Sequence, residues 1–262
     1  MTTQNPSKPD SSIVYEYSTE TLMEIARGFE AWKSKAGHRQ FLHYVLFQHL
    51  QTGDHVLDTS CGLGEDAIYL AKQGYHMGIN DSDQTMLEKA RTNGLESGIR
   101  FSNTTHFDWR MLGKTYAGLD AALCVGNSLT YLFDRSDQLE ALANFRDILV
   151  DTGVLIVDER NYQAMFDRAE DVRQGRFQYT GIYRLAQDNM QLMPVKISEG
   201  EVEMQARSNK TDHIVSFGFY PFKRNELLGL LREGGFKTIE QYSDYQPGYN
   251  PKADFHQYVV RK

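Results

Sequence analysis

The sequence DTSCGLGEDA, residues 58–67, follows an apolar run and precedes a stretch with the apolar spacing of a helix. Its glycines, Gly62 and Gly64, give the G-x-G pattern of loops that hold a nucleotide at the carboxyl end of a strand. In dinucleotide enzymes such a loop places a pyrophosphate at the N-terminus of the next helix. Here Glu65 and Asp66 occupy that first turn, where carboxylates suit the helix dipole but repel a phosphate. The loop therefore favours a nucleoside cofactor that has no phosphate groups.

Strands alternate with helices on both sides of this loop. The predicted strands are HVLDTS (55–60), HMGIN (76–80), IRFSNTT (99–105), LDAALCVG (119–126) and GVLIVDER (153–160). The predicted helices cover residues 65–74, 83–97 and 136–150, and two more are expected between residues 19 and 50. Because crossovers between parallel strands are right-handed, this alternation predicts a doubly wound parallel sheet of the α/β class.

The pattern changes after Tyr162. Alternating apolar and polar residues predict antiparallel strands in FQYTGIYRL (177–185), VKISEGEVEMQAR (195–207) and HIVSFGFY (213–220). A helix is expected in KRNELLGLLREGG (223–235), and a final pair of strands is expected to end at FHQYVV (255–260). We therefore expect a flexible tail (1–14), an α/β core with N-terminal helices (15–162), an antiparallel insertion that covers the substrate (163–216) and the end of the core (217–262).

Composition narrows the class of protein. The formal net charge is −7, which argues against a nucleic-acid partner or an anionic membrane surface. No apolar run approaches the ~20 residues that span a bilayer, and residues 1–12 lack the regions of a signal peptide. The two cysteines, Cys61 and Cys124, indicate neither a disulfide framework nor a zinc site. We expect a cytoplasmic protein that binds no metal, no nucleic acid and no membrane.

A second acidic residue indicates which nucleotide the loop holds. Asp81 follows the second predicted strand, and an acid there accepts both ribose hydroxyls in dinucleotide enzymes and in adenosine-binding methyltransferases. S-adenosylmethionine has no phosphate and carries a sulfonium and an ammonium group, and Asp58 is placed for that positive end. The combination D-x-x-C-G-x-G with Asp81 favours S-adenosylmethionine as cofactor. A nicotinamide oxidoreductase and a regulator that binds S-adenosylmethionine without catalysis are the alternatives.

Three more strand ends carry candidate site residues. After the third strand, Asp108 and Trp109 could contact the adenine, or could equally be a loop acid and a core tryptophan. After the fourth strand, Asn127 could accept a hydrogen bond from an amine. At the end of the fifth strand, Arg160 is a candidate clamp for a substrate carboxylate. An ion pair of this arginine with one of the acids beside it, residues 158 and 159, is the structural alternative.

These segments resemble the glycine N-methyltransferase and glycine–sarcosine N-methyltransferase family of class I S-adenosylmethionine-dependent methyltransferases. The similarity lies in VLDTSCGLGEDAIYLAKQGY (56–75), GNSLTYL (126–132), GVLIVDERNY (153–162), FGFYP (217–221) and DYQPGYNPK…FHQYVV (244–260). It covers nearly the whole chain from about residue 15. The resemblance implies a Rossmann-like methyltransferase sheet with an antiparallel insertion between the fifth strand and the last helix.

The resemblance also implies an activity. Glycine would be methylated to sarcosine, and sarcosine to dimethylglycine, by direct in-line transfer that leaves S-adenosylhomocysteine. The role would be betaine synthesis or control of methyl-donor levels, and the family permits a homo-oligomer. A sarcosine/dimethylglycine N-methyltransferase, or another small-amine methyltransferase, is the alternative activity.

Site residues follow by position in the same family. The implied catalytic residues are Asn127, Arg160, Tyr179 and Tyr220. The expected cofactor-binding residues are Tyr15, Trp32, Arg39, Asp58, Ser60, Gly62, Gly64, Asp81, Ser82, Met86, Asp108, Trp109 and Asn127. The vertebrate-type motif reads G-N-S-x-x-H-L, whereas this chain has Tyr131 at the histidine, so no role is carried over from that histidine.

Overall fold

The computed structural model describes residues 17–188, 190–211 and 213–262. The expected tail (1–14) and Tyr15 lie outside the described residues. The strands are β1 (His55–Asp58), β2 (His76–Asn80), β3 (Asn103–Thr105), β4 (Leu119–Cys124), β5 (Leu149–Arg160), β6 (Met190–Ile197), β7 (Val202–Ser208), β8 (Ile214–Phe219), β9 (Thr238–Ser243), β10 (Gln246–Pro247) and β11 (Phe255–Arg261). The α-helices are α1 (Thr19–Ala36), α2 (His38–Phe47), α3 (Glu65–Lys72), α4 (Gln84–Glu96), α5 (Arg135–Ile148), α6 (Tyr162–Phe166), α7 (Ala169–Arg173) and α8 (Glu226–Glu233). Short 3-10 helices cover Trp109–Lys114, Ser128–Tyr131 and Ile182–Asp188.

The central sheet has eight strands in the order β10-β9-β11-β5-β4-β1-β2-β3. The five strands from β3 to β5 run parallel, which confirms the predicted α/β core. β11 is antiparallel to both β5 and β9, so the sheet is mixed rather than wholly parallel. The connection from β9 to β11 is too short for a crossover helix, which parallel neighbours would need. The strand order reverses between β1 and β4, and ligands of such sheets bind at the carboxyl ends beside that point.

Neighbouring residues of the central strands face two separate cores. In β1, Val56 packs with side chains of α2, α3 and α4, whereas Leu57 packs with side chains of α5 and α8. Residues 121–124 of β4 and 154–157 of β5 alternate in the same way, and they are buried on both faces of the sheet. Full burial of one such aliphatic side chain contributes about 1.5–3 kcal/mol. Helices therefore cover both faces of the sheet, and its loops hold the site on a rigid three-layer frame.

The smaller sheet contains β6, β7 and β8 in antiparallel order. It shares a third core with α1, through Ile25 and Trp32, and with α6 and α7. An antiparallel insertion after the fifth strand was expected and is confirmed. None of the helices in the described ranges combines the length and apolar character that a bilayer crossing requires.

The prediction of a strand over 177–185 is wrong. Residues 177–180 pair with no strand, and the 3-10 helix Ile182–Asp188 follows them. The backbone at 182–183 donates its N–H groups to carboxylates of Asp244 and Asp254 instead of a neighbouring strand. The stretch 195–207 also differs, because it is the end of β6, a turn and β7. The short helices α6 and α7 were not predicted, since five residues are too few to show a helical period.

Candidate active site

The glycine loop joins β1 to α3 at the carboxyl edge of the sheet. Gly62 and Gly64 have φ angles of 53° and 77°, in the left-handed region that glycine adopts without strain. A Cβ atom on Gly64 would lie 2.9 Å from the Cβ of Ala90, so this glycine lets α3 approach α4. A Cβ on Gly62 would meet nothing within 4 Å. The two glycines thus differ in function, and Gly62 leaves its backbone open to a ligand.

Two polar groups of this loop lack the partners that buried groups normally have. The carboxylate of Asp58 is 2% exposed and accepts only the N–H of Ser60, at 3.3 Å. No cation lies within 4.0 Å of it in the described part of the chain. Burial, followed by the nearby charge of Asp66, raises the pKa of Asp58 to about 8. The Oγ of Ser60 is buried without a hydrogen-bond partner. A ligand with a positive charge and a hydrogen-bonding group would satisfy both.

Asp81 reaches the same loop from the end of β2. One carboxylate oxygen accepts the N–H of Gly62 at 2.8 Å, and the other accepts the N–H of Asp83 at 2.9 Å. Each oxygen keeps lone pairs for a further donor such as a ribose hydroxyl. Ser82 is exposed, and its carbonyl oxygen bonds the ring of His106 at 2.7 Å, whereas Met86 is half-buried on α4. The structure therefore brings Asp81 to Gly62, as the ribose hypothesis requires.

Asp108 and Trp109 lie beside the loop, but each is engaged by the protein. The indole Nε1 of Trp109 donates to the carbonyl of Thr59 at 2.8 Å, and the ring packs edge-on against Phe145. The exposed Asp108 accepts from the guanidinium of Arg110, which lowers the pKa of that carboxyl. In this structure Trp109 supports the glycine loop, and neither residue shows by its own contacts that it meets an adenine.

Asn80 is a buried residue to which the sequence analysis gave no role. Its side-chain nitrogen donates to the carbonyl of Thr59 at 3.0 Å and to that of Phe107 at 3.1 Å. Its oxygen accepts from the N–H of Phe107 and the hydroxyl of Thr105. This one amide therefore ties the loops after β1, β2 and β3 together. A polar residue at the end of the apolar strand HMGIN was the available signal.

Asp66, at the start of α3, is paired rather than free. Lys33 donates to it at 2.6 Å, Arg39 at 3.0 Å, and the ring of His38 lies at 3.2 Å. Although burial acts the other way, Lys33, His38 and Arg39 hold the pKa of Asp66 well below its usual range. The expected repulsion between this carboxylate and a phosphate is therefore wrong for Asp66, because its charge is balanced. Glu65 is the other acid on the first turn of α3, and its charge also favours the cationic form of Arg39.

Arg39 was expected to fold over the cofactor, together with Trp32. The guanidinium of Arg39 binds Asp66 and Glu30, so its charge is used between α1, α2 and α3. Trp32 lies at the other side of α1, where its ring stacks on Tyr183 at 4.4 Å. The structure places Arg39 at the cofactor loop and Trp32 with the aromatic residues on the substrate side.

The stretch DERNY, residues 158–162, ends β5 and sends its side chains to different partners. Asp158 accepts the N–H groups of Gly126 and Asn127, at 3.1 and 2.6 Å. Glu159 faces the other side of the sheet, where the hydroxyl of Tyr258 donates to it at 2.6 Å. Neither acid forms an ion pair with Arg160, which follows them in the sequence, so the structural alternative for Arg160 does not hold.

Arg160 is a buried cation whose donors are only partly used. It is 3% exposed. Its Nη1 lies 3.3 Å from the hydroxyl of Tyr179, and its Cζ lies 4.3 Å from the ring centre of Tyr183 and 5.2 Å from that of Phe255. Its Nε is buried without a hydrogen-bond partner. Within the described ranges no carboxylate reaches salt-bridge distance of it. Such a group is costly to bury alone, and a bound carboxylate would offset that cost.

Asn127 joins the end of β4 to this arginine. Its Oδ1 accepts the N–H of Arg160 at 2.9 Å, and its Nδ2 donates to the hydroxyl of Tyr162 at 2.7 Å and to Thr130 at 2.8 Å. Both amide hydrogens are therefore used, and only a second lone pair of Oδ1 is left for a substrate amine. Tyr220 donates its hydroxyl to Glu226 at 2.7 Å, so the structure does not bring that hydroxyl to Arg160.

Comparisons with known proteins agree with this geometry. A family model described as "Methyltransferase domain" matches residues 56–153. Glycine/sarcosine N-methyltransferase of Aphanothece halophytica is 30% identical over 209 residues, which cover 79% of this chain and 76% of that protein. Glycine/sarcosine/dimethylglycine N-methyltransferase of Actinopolyspora halophila is 31% identical over 79% of this chain, but the match spans only 36% of that longer protein. The crystal structure of an S-adenosylmethionine-dependent methyltransferase from Clostridium acetobutylicum superposes with a TM-score of 0.65 at 17% identity, over 85% of this chain and 89% of that one.

The strand order, the glycine loop with Asp81 and these matches define a class I S-adenosylmethionine-dependent methyltransferase, with S-adenosylmethionine as methyl donor. The chain belongs to the glycine/sarcosine N-methyltransferase family, and it is an N-methyltransferase. The resemblance noted in the sequence is thereby confirmed.

Proposed function

We propose that this enzyme methylates the amine of glycine to give sarcosine and the amine of sarcosine to give dimethylglycine, with S-adenosylhomocysteine as the second product. The observation that carries the proposal is the buried guanidinium of Arg160, for which no described residue supplies a carboxylate. Both amino acids have a carboxylate that matches a guanidinium in shape and charge. Their amine, one carbon away, would then lie near the end of β4.

The surroundings of Arg160 favour a small amino acid. Tyr179, Tyr183 and Phe255 are all buried and contact the guanidinium. A substrate bound there meets aromatic rings, which leave little room for a long side chain. We propose that the insertion, residues 163–216, covers the substrate, because Tyr179 and Tyr183 both come from it.

The protein's part in the reaction is placement. Bound S-adenosylmethionine supplies a methyl group on a sulfonium, whose thioether is a good leaving group, so no covalent enzyme intermediate is required. Asp58 and Asp81 would hold the cationic end and the ribose, while Arg160 would hold the carboxylate and Asn127 would orient the amine. Placement of this kind contributes up to ~7–11 kcal/mol in favourable cases. The hydroxyl of Tyr179, which accepts a hydrogen bond from Nη1 of Arg160, would fix the orientation of the guanidinium.

Methylation further along the series is the second candidate. The name of the Actinopolyspora relative includes dimethylglycine, and this chain has the same family framework. Betaine synthesis, or control of methyl-donor levels, would be the corresponding role. Product masses with glycine, sarcosine and dimethylglycine offered separately distinguish these activities.

The carboxylate clamp is tested by comparing glycine with glycinamide, which lacks the carboxylate. Truncating one partner of a buried charge pair costs about 2–5 kcal/mol, so kcat/KM for glycine should fall by at least ~30-fold in Arg160→Gln. The preference for glycine over glycinamide should disappear with it. The dissociation constant of S-adenosylmethionine, measured by calorimetry, should stay unchanged. Arg261→Gln, which removes an arginine that pairs with Glu240 at the far end of β11, is the control. Equal loss of cofactor and glycine binding in Arg160→Gln would contradict the clamp.

A further inference from the structure

We propose that Asp244 and Asp254 are positioning residues for the amino-acid substrate, because their carboxylates hold the backbone turn that carries Tyr179 and Tyr183 to Arg160. The inference rests on the proposed function, in which Arg160 binds the substrate carboxylate. Both acids lie between β9 and β11, far from the glycine loop in the sequence, and neither contacts the arginine within ion-pair distance in the described ranges.

The turn is held by two consecutive N–H groups. That of Tyr183 donates to Asp254 at 2.9 Å, and that of Ile182 donates to Asp244 at 3.3 Å. Successive N–H groups that point the same way form a concave site for an anion, and here the protein's own carboxylates fill it. A Cβ atom on Gly181 would lie 2.9 Å from the Cγ of Asp254 and closer still to Asp244. The approach therefore requires glycine at this position.

The two acids are themselves held in place. Oδ1 of Asp244 accepts the N–H of Asp254 at 3.0 Å and that of Phe255 at 2.9 Å. Asp244 and Tyr245 have φ angles of 48° and 64°, which are uncommon for residues other than glycine and indicate a conformation imposed by its surroundings. Phe255 is also one of the rings beside Arg160. Asp244 thus orders two of the aromatic walls at once.

The held turn leads directly to the clamp. Tyr183 is its last residue, and its ring lies between contacts with Arg160, at 4.3 Å, and with Trp32, at 4.4 Å. Tyr179 precedes the turn by two residues and places its hydroxyl 3.3 Å from Nη1 of the arginine. The rings of Tyr179 and Tyr183 are 5.0 Å apart. A shift of the turn would therefore move both tyrosines relative to Arg160.

The surroundings of the Asp244 and Asp254 carboxylates support a role in positioning the turn rather than in stability. Asp254 lies near the carboxylate of Asp244, the guanidinium of Arg160 and the hydroxyl group of Tyr179. Burial raises the pKa of both acids, that of Asp254 to about 6. A half-buried acid (Asp244) beside a buried one (Asp254), with no cation at ion-pair distance in the described ranges, is unfavourable unless N–H groups compensate the two carboxylates. The compensating N–H groups belong to the turn and to the start of β11. The hydrogen bonds that offset the desolvation of the two carboxylates therefore also fix the position of the turn.

Asp254→Ala and Asp244→Ala test the proposal in the full-length enzyme. Each leaves N–H groups of the turn without an acceptor, and we expect KM for glycine to rise by about tenfold, the ratio that one lost hydrogen bond to a charged group produces. kcat at saturating glycine and the dissociation constant of S-adenosylmethionine should change little. Asp254→Asn keeps one acceptor oxygen and should restore most of the glycine affinity. Its effect should be smaller than that of Asp254→Ala.

Two controls separate positioning from general damage. Asp54→Ala removes an aspartate that also accepts a backbone N–H, from Gln51 at 2.8 Å, at the opposite end of β1, and should leave KM unchanged. Asp254→Ala combined with Tyr183→Leu should cost less than the sum of the two separate effects, because both substitutions act on the ring of Tyr183. Full additivity of the two substitutions, or a joint rise of KM and of the cofactor dissociation constant, would overturn the proposal.

A readout independent of the substrate keeps the inference separate from the proposed function. The chain has two tryptophans, and in a Trp109→Phe background the emission of Trp32 reports on its stacking with Tyr183. Asp254→Ala should shift this emission, whereas Asp54→Ala should not. An unchanged emission would overturn the proposal that Asp254 positions the turn. If the wild-type enzyme methylates neither glycine nor sarcosine but Asp254→Ala still shifts the emission, the proposed function is wrong, whereas the positioning of the turn by Asp254 is supported.

Discussion

Among the described residues, acidic groups without a cationic partner lie on the cofactor side of the site, and a basic group without a carboxylate partner lies on the substrate side. On the cofactor side, Asp58 and Asp81 have no cation within ion-pair distance among the described residues, although Asp66 next to them has three basic neighbours. On the substrate side, Arg160 has no carboxylate partner in that same part of the chain. Since buried charges are normally paired, each unpaired group indicates the charge of the ligand that meets it. A cationic cofactor and an anionic substrate group fit the two sides respectively.

The two sides also differ in how the chain builds them. The cofactor side comes from one continuous stretch, residues 58–109, in which each strand end contributes a loop. The substrate side consists of residues that lie far apart in the sequence: Asn127, Arg160, Tyr179, Tyr183 and Phe255. The carboxylates that hold its turn, those of Asp244 and Asp254, come from the segment between β9 and β11. Local sequence therefore carries most of the information on the cofactor, whereas the acceptor site depends on long-range packing.

The largest expected effect comes from Asp66, the buried acid on the cofactor side that basic residues pair. Asp66→Asn leaves Lys33 and Arg39 partly unpaired next to the glycine loop, and removing one partner of a buried ion cluster costs about 3–5 kcal/mol. We expect that loss in the free energy of unfolding by urea at pH 7. Since the pKa of Asp66 is lowered in the folded protein, its contribution is present above the unfolded pKa and is lost only in strong acid. Asp54→Asn is the control, and a loss below about 1 kcal/mol would show that the cluster is a weak surface-like pair.

A smaller effect, confined to one side, is expected for Asp81→Ala. Hydrogen bonds to a charged group contribute about 1.5–3 kcal/mol, so the dissociation constant of S-adenosylmethionine should rise roughly tenfold to 150-fold. KM for glycine at saturating cofactor should stay the same. Asp83→Ala, which removes the neighbouring N-cap of α4, should lower stability without this change in affinity. A parallel rise in KM for glycine would contradict the assignment of Asp81 to the cofactor side alone.

The finest test follows the proton of Asp58. Burial raises its pKa to about 8, so at pH 7 most molecules of the free enzyme carry the protonated acid. A bound cation favours the ionised form, and binding should release up to about one proton per site at pH 7. Calorimetry in buffers of different ionisation enthalpy measures this number. Asp58→Asn should abolish the release, and an equal release in that variant would assign the proton to another group.

The core of the fold and the geometry of the glycine loop could be predicted from local sequence patterns. The strand HMGIN was predicted at 76–80 and forms β2 at His76–Asn80, because a continuous apolar run bounded by turns is a local signal. The glycine loop and Asp81 were also predictable, since the ends of parallel strands meet at one edge of a sheet. Their side chains needed no knowledge of distant contacts.

Which charges are paired, and which segments with a strand-like pattern form strands, depends on contacts between distant parts of the chain. Asp66 looked like a free carboxylate but is neutralised from two other helices. The sequence left two alternatives for Arg160, a substrate clamp or an ion pair with the acids beside it, and the structure places its guanidinium against aromatic rings. The stretch 177–185 has a strand-like pattern but is bent by carboxylates of Asp244 and Asp254. In each case the partner lies far away along the chain. Periodicity reports which face of an element is apolar, but not which distant group will meet a given charge or N–H.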